Sequence, residues 1–208
     1  MRRWWVLALV LGTSGLAQAE ANRAFARLRD KAQAVDSLAT FLSSFVGDCG
    51  ADLLGGSDCQ KKVKAFRSEA LGKTYYVILD DAAQKLVQPR GFSPQTHQME
   101  FALTPFFESA GLALTHGQPD GLDAQGQPII RLIRMQATLP DEITPMEVDR
   151  VFRTGMARMQ VIFKPLSVWK VPRKDRKGFV EGVKAQVLGV RISEARSGSD
   201  VVTWTSDK

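Results

Sequence analysis

The chain has 208 residues, a formal net charge of +6, and only two histidines and two cysteines. That length suits one domain with a useful core, or two small ones, and the modest basic excess speaks to solubility more than to partners, so no nucleic acid is expected. The sequence contains no Gly-x-Ser-x-Gly elbow, Walker loop, dinucleotide fingerprint, His-Glu-x-x-His or Cys-x-x-Cys, which removes the best-marked enzyme classes and leaves no cofactor to expect.

Arg2 and Arg3 precede an unbroken apolar run from Trp4 to Leu11, and small residues then lead to Ala17-Gln18-Ala19. This is the order of a secretory signal peptide, so residues 1–19 are expected to be cut off between Ala19 and Glu20, leaving an exported protein of the periplasm or the medium. A retained membrane helix would need roughly 18 or more apolar residues, and Gly12, Thr13, Ser14 and Gly15 interrupt the run first. In an oxidising compartment, Cys49 and Cys59 are expected to pair as a disulfide, a closure worth about 2–3 kcal/mol by the chain-entropy model. Two thiols are too few ligands for zinc, so no metal is expected.

Residues 20–72 read as a helical hairpin. Phe25, Leu28, Ala32, Val35, Ala39, Leu42 and Val46 alternate at intervals of three and four, with Leu38, Phe41 and Phe45 widening the stripe, which predicts one helix from Asn22 to Val46. Ser57 with Gln60 predicts the N-cap of a second helix, and Gly72 its stop. Between them, Gly50 to Gly56 would form the turn that the disulfide clasps.

From residue 73 to 208 the texture changes to short runs of β-branched and aromatic residues punctuated by Gly, Pro and Asp. Strands are expected over Tyr75–Leu79, with a turn at Asp80-Asp81 and a return at Lys85–Gln88. Further strands are expected at Met99–Leu103 and Leu112–Thr115, and, after turns through Gly117–Pro128, at Ile129–Thr138. Thr144, Pro145 and Glu147 mark a helix start, with Val148, Phe152, Gly155 and Met159 on one face, predicting a helix over 145–158. Strands return at Gln160–Lys164, Ser167–Val171, Phe179–Ser193 and Val201–Thr205. Pro165 should bend or end its strand, since it cannot donate to a ladder, and Arg173–Gly178 is the expected exposed loop. Short connections imply a mostly antiparallel sheet. The fold class is therefore α+β, a disulfide-closed helical hairpin on a mostly antiparallel sheet with one inserted helix, built as one domain.

The candidate contact surface is Trp169, Lys170, Arg173, Lys174, Arg176 and Lys177, where charge and ring stacking would hold an anionic lipid, a glycan or an acidic partner. Arg23, Arg27 and Lys31 beside the first apolar stripe allow contact with an anionic membrane. No catalytic residue is assigned. A hydrolase site would have to draw on Asp80, Asp81 or Glu108 with His97 or His116, whereas adjacent carboxylates, like Asp120 and Asp123, are expected to serve turns and not calcium. The expectation is an exported, non-enzymatic binding module that meets an envelope protein, lipid or glycan, with a carboxylate hydrolase as its rival.

Overall fold

The computed structural model describes residues 13–47, 56–80, 82–139, 143–173 and 178–206. In chain order the elements are α1 (Thr13–Asp30), β1 (Gln33–Val35), α2 (Leu38–Val46), α3 (Gly56–Ala70), β2 (Tyr75–Leu79) and α4 (Ala82–Leu86). There follow β3 (Val87–Ser93), β4 (Gln98–Leu103), β5 (Phe106–Ser109), β6 (Leu112–His116) and β7 (Ile133–Thr138). Last come α5 (Pro145–Arg153), β8 (Ala157–Pro172), β9 (Phe179–Glu194) and β10 (Asp200–Thr205).

The class is α+β, with two sheets. One has seven strands in the order β1-β2-β8-β9-β6-β5, with β10 also pairing with β9, and the other has three in the order β3-β4-β7. Strands β8 and β9 form the spine. β9 is long enough to serve two neighbours, pairing through Gly182–Ala185 with β6 and through residues 189–193 with β10. The large sheet is mixed, which corrects the antiparallel expectation: β1 with β2 and β6 with β9 run parallel. Both parallel pairs join strands far apart in sequence, and such crossovers are what parallel pairing requires.

The first predicted helix is broken. α1 ends at Asp30, β1 pairs beside β2, and α2 starts after Ser37, whose side chain accepts the Thr40 N–H at 3.3 Å. A serine in extended conformation with a free backbone amide to cap ends one helix and begins another, and apolar periodicity alone does not register it. α1 itself runs through the expected cleavage point at Ala19 and Glu20. The hairpin proper is α2 with α3. Gly47, at φ 78°, closes α2 with its N–H on the Ser43 carbonyl, and Arg67 of α3 donates to the Phe45 and Val46 carbonyls, satisfying the exposed end of α2. α3 starts at Gly56, so Ser57 lies inside it and not at its cap. Its stop is at the expected place, with Gly72 at φ 88°. The Cys49 half of the proposed disulfide lies outside the described residues.

In the core, the Phe41 ring of α2 packs on Tyr75 at 5.0 Å, Phe163 at 5.4 Å and Phe66 at 5.7 Å between centroids. Residues alternate faces along a strand, so Tyr76, next to Tyr75, faces the other side, where Arg29 of α1 lies over its ring at 5.4 Å. α1 therefore crosses the outer face of the large sheet. Its Phe25 is 2% exposed and lies against Gly189, where a side chain would crowd the ring. Phe25, in the apolar stripe of α1, is thus spent on the protein's own sheet. On the small sheet, Phe101 of β4 meets Phe152 of α5 at 5.9 Å, and both belong to the same continuous core as the α2 aromatics.

Three further expectations change. Lys85 belongs to α4 and not to a return strand, and β3 leaves the large sheet for the small one. The capping box of α5 is present as predicted, but the helix ends at Arg153. Gly155 takes φ 75°, and Met159 lies on β8, so the helix covers 145–153 and not 145–158. Pro165 does not end its strand: a register shift follows it between Pro165 and Ser167, and β8 runs on.

Candidate functional site

The sequence-derived basic surface loses its aromatic member. Trp169 is 3% exposed and packs over Gly182 of β9, where a methyl group would collide with the Ala113 carbonyl and lie 2.8 Å from the indole. Buried against Gly182, this indole is not available to stack on a ligand. Lys170 forms an ion pair with Glu181 across the β8–β9 ladder at 2.6 Å. Arg173 is exposed, its Nε reaching the Phe179 carbonyl at 3.5 Å, and Lys174, Arg176 and Lys177 lie outside the described residues. The exposed aromatic at this hairpin end is Phe179, 57% exposed, which sequence reasoning passed over.

Three of the candidate acid and base groups, His97, His116 and Asp80, have structural partners. His97 sits in the β3–β4 turn at φ 52°, its Nδ1 hydrogen-bonded to the Leu139 carbonyl at 3.0 Å, while its own carbonyl accepts the Leu139 N–H. His116 ends β6 and accepts the Val187 N–H at Nδ1 (3.1 Å). Burial depresses the pKa of that imidazole, in keeping with a nitrogen that must stay unprotonated to accept. Asp80 pairs with Arg158 at 3.1 Å on the surface. Glu108 lines a cleft of about 490 Å³ with Lys85, Leu86 and Phe107; neither histidine lines it. Asp81 lies outside the described residues. Asp123 is a turn former, its Oδ1 accepting the Gln125 and Gln127 amides at 2.9 and 2.8 Å, and Asp120 pairs with Arg131. Among the described residues, no three His, Cys, Asp or Glu side chains group as a metal site, and no helix is long and apolar enough to cross a membrane.

The arrangement best suited to a ligand is a groove of about 760 Å³ over the small sheet, walled by β10 and by Ala21 of α1. Its floor is the outward side of β4, where Ala102 stands between larger neighbours. Arg134 of β7 is the cross-strand partner of Ala102, and Gln136 that of Glu100. On the other side of β4, a register shift between Pro89 and Gly91 leaves Arg90 outside the β3 ladder, beside Phe101 and Glu100. Leu132, 51% exposed, and Trp204 supply apolar wall. Thr203 also lines it, 1% exposed, with a hydroxyl that has no partner among the described residues. Gln136 donates to Glu100 at 3.2 Å, whereas Arg90 and Arg134 have neither a hydrogen bond nor an ion pair among the described residues.

None of these groove residues was singled out from the sequence, because four strands and a helix far apart in the chain assemble them. The available signal was faint: Arg134 and Gln136 alternate with Ile133, Met135 and Ala137 and so face outward, and Pro89-Arg90-Gly91 is a bulge-prone triplet.

No curated protein and no solved structure matches this chain. One family model does, over residues 1–208, so the chain belongs to the family of unknown function DUF6066.

Proposed function

We propose that the protein is an exported, non-catalytic binding protein of the cell envelope, freed of its leader between Ala19 and Glu20, with Cys49 and Cys59 joined as a disulfide beside the α2–α3 hairpin. The observation that carries the binding reading is the groove, where two guanidinium groups without a hydrogen bond or ion pair among the described residues stand over a small-residue floor. Convergent polar groups in a half-apolar concavity suit binding of a small molecule. The engagement of His97, His116 and Asp80 in structural bonds supports a non-catalytic role. No free cysteine occurs among the described residues, Cys59 included, which supports the disulfide.

The test has two arms. Protein recovered from the envelope fraction should begin at Glu20 and carry no free thiol; an intact Met1 in the cytosol with both thiols reactive would overturn export. Purified protein should turn over no generic ester, peptide or glycoside. Hydrolysis that disappears with Asp81→Asn, His97→Gln or His116→Gln would replace the binding reading with the hydrolase.

A second reading, contact of the β8–β9 hairpin end with an anionic lipid surface, is favoured by exposed Phe179 beside Arg173. It predicts salt-sensitive binding to phosphatidylglycerol vesicles, and binding unchanged by charge reversal at Arg173 and Arg176 would exclude it.

A further inference from the structure

We infer that the groove holds an acyl chain bearing an anionic head group, a carboxylate or a phosphate monoester, with Arg90 and Arg134 on the head and Leu132 and Trp204 along the chain. The inference rests on the binding reading above and names its ligand class. Strand register carries the geometry. Arg134 stands directly across from Ala102 on one side of β4, and the bulged Arg90 flanks Phe101 and Glu100 on the other. The two cations thus bracket one central strand whose side chain at the middle is a methyl group.

The groove is not self-neutralised. Glu100 is the single carboxylate among its lining residues; it takes a hydrogen bond from Gln136, and no ion pair joins it to Arg90 or Arg134. Two guanidinium groups against one carboxylate among the described lining residues leave net positive charge in a concavity, which concentrates field on an anion. Arginine forks match the planar or tetrahedral oxygens of carboxylate and phosphate, and such charge-assisted bonds are roughly twice as strong as neutral ones. The remaining lining is mixed, with apolar or small surface from Leu132, Trp204, Ala102 and Ala21 and polar groups from Gln136, Thr203 and Thr205, so the strip matched to a hydrocarbon chain is Leu132 with Trp204. A volume of about 760 Å³ falls within the range of roughly 300–1,000 Å³ usual for small-molecule sites.

The experiment is calorimetric titration of the exported protein with dodecanoate, dodecyl phosphate and dodecanol, which share a tail and differ in the head. At least one anion should bind roughly tenfold or more tightly than the alcohol, and whichever anion does so identifies the head group. The double variant R90Q/R134Q should lose that margin while keeping its circular dichroism and residual dodecanol binding. L132N should weaken all three ligands. Equal binding of alcohol and anions by the wild type, retention of the margin in R90Q/R134Q, or indifference to L132N would overturn the ligand assignment. Failure here leaves the broader binding reading standing or falling on its own hydrolase test.

Discussion

The large sheet and the small sheet share one core, yet they use their polar and aromatic residues in opposite ways. Under α2, the rings of Phe41, Tyr75, Phe163 and Phe66 interlock, and polar groups of this part of the fold are committed: Arg67 to the carbonyls at the end of α2, and on β9 Arg191 to Asp200 by two hydrogen bonds of 2.6 and 2.9 Å. The outer side of the small sheet carries Arg90 and Arg134, which have no hydrogen bond or ion pair among the described residues, over a hollow. The difference separates residues that hold the fold from residues that are free to serve a ligand, because only the first kind are costly to alter.

The sharpest way to break this contrast is at the aromatic cluster. Phe163→Ala should destabilise the protein by about 3–5 kcal/mol, the usual cost of emptying a buried phenylalanine site, read as a fall in the urea midpoint. A loss no larger than that of a groove variant would erase the distinction. Next, Gly182→Ala sets a methyl group against the Ala113 carbonyl and the Trp169 ring, so about 1–3 kcal/mol of overpacking strain is expected. Because the parallel β6–β9 pairing runs through this point, the loss should come with a shift in tryptophan fluorescence. Thr144→Ala removes half of the α5 capping box and should cost about 1 kcal/mol, with groove binding unaltered.

His116 gives a pH-dependent test on the large sheet. Burial lowers its folded pKa below the ordinary 6.5, so the unfolded chain takes up the proton first as pH falls. The stability contributed by neutral His116 is complete above about pH 6.5 and declines as pH drops from there toward the folded value. Urea midpoints compared at pH 7.5 and 5.5 should fall more for the wild type than for His116→Gln; equal falls would remove the imidazole from the account. Smallest of all, R90Q/R134Q should change stability by no more than about 0.5 kcal/mol, as for surface sites without structural partners. A larger loss would show that these arginines hold the sheet and are not free for a ligand.

Much of the local structure was legible in the chain. The β-branched and aromatic runs Tyr75–Leu79 and Phe179–Ser193, and the Thr144-Pro145-Glu147 start of α5, all appear where expected, because each depends on a few neighbouring residues and the backbone groups they satisfy. The failures came where a local signal competed with a distant one. Val35 continues the helical stripe of its neighbours but pairs instead beside Val77, and Trp169 has polar and basic neighbours yet is buried against Gly182 of β9, which only strand pairing brings to it.

By itself, then, the sequence determined the α+β class, most strand positions, the capped start of α5 and the Gly72 stop of α3, all of them consequences of side-chain period and short-range hydrogen bonding. Tertiary structure alone decided which strands run parallel, which aromatic ring is hidden, and that Arg90, Ala102, Arg134 and Trp204 border one hollow. The reason is that sheet register couples residues tens of positions apart, and a bulge or a shift of one residue in any strand would turn those side chains to the opposite face.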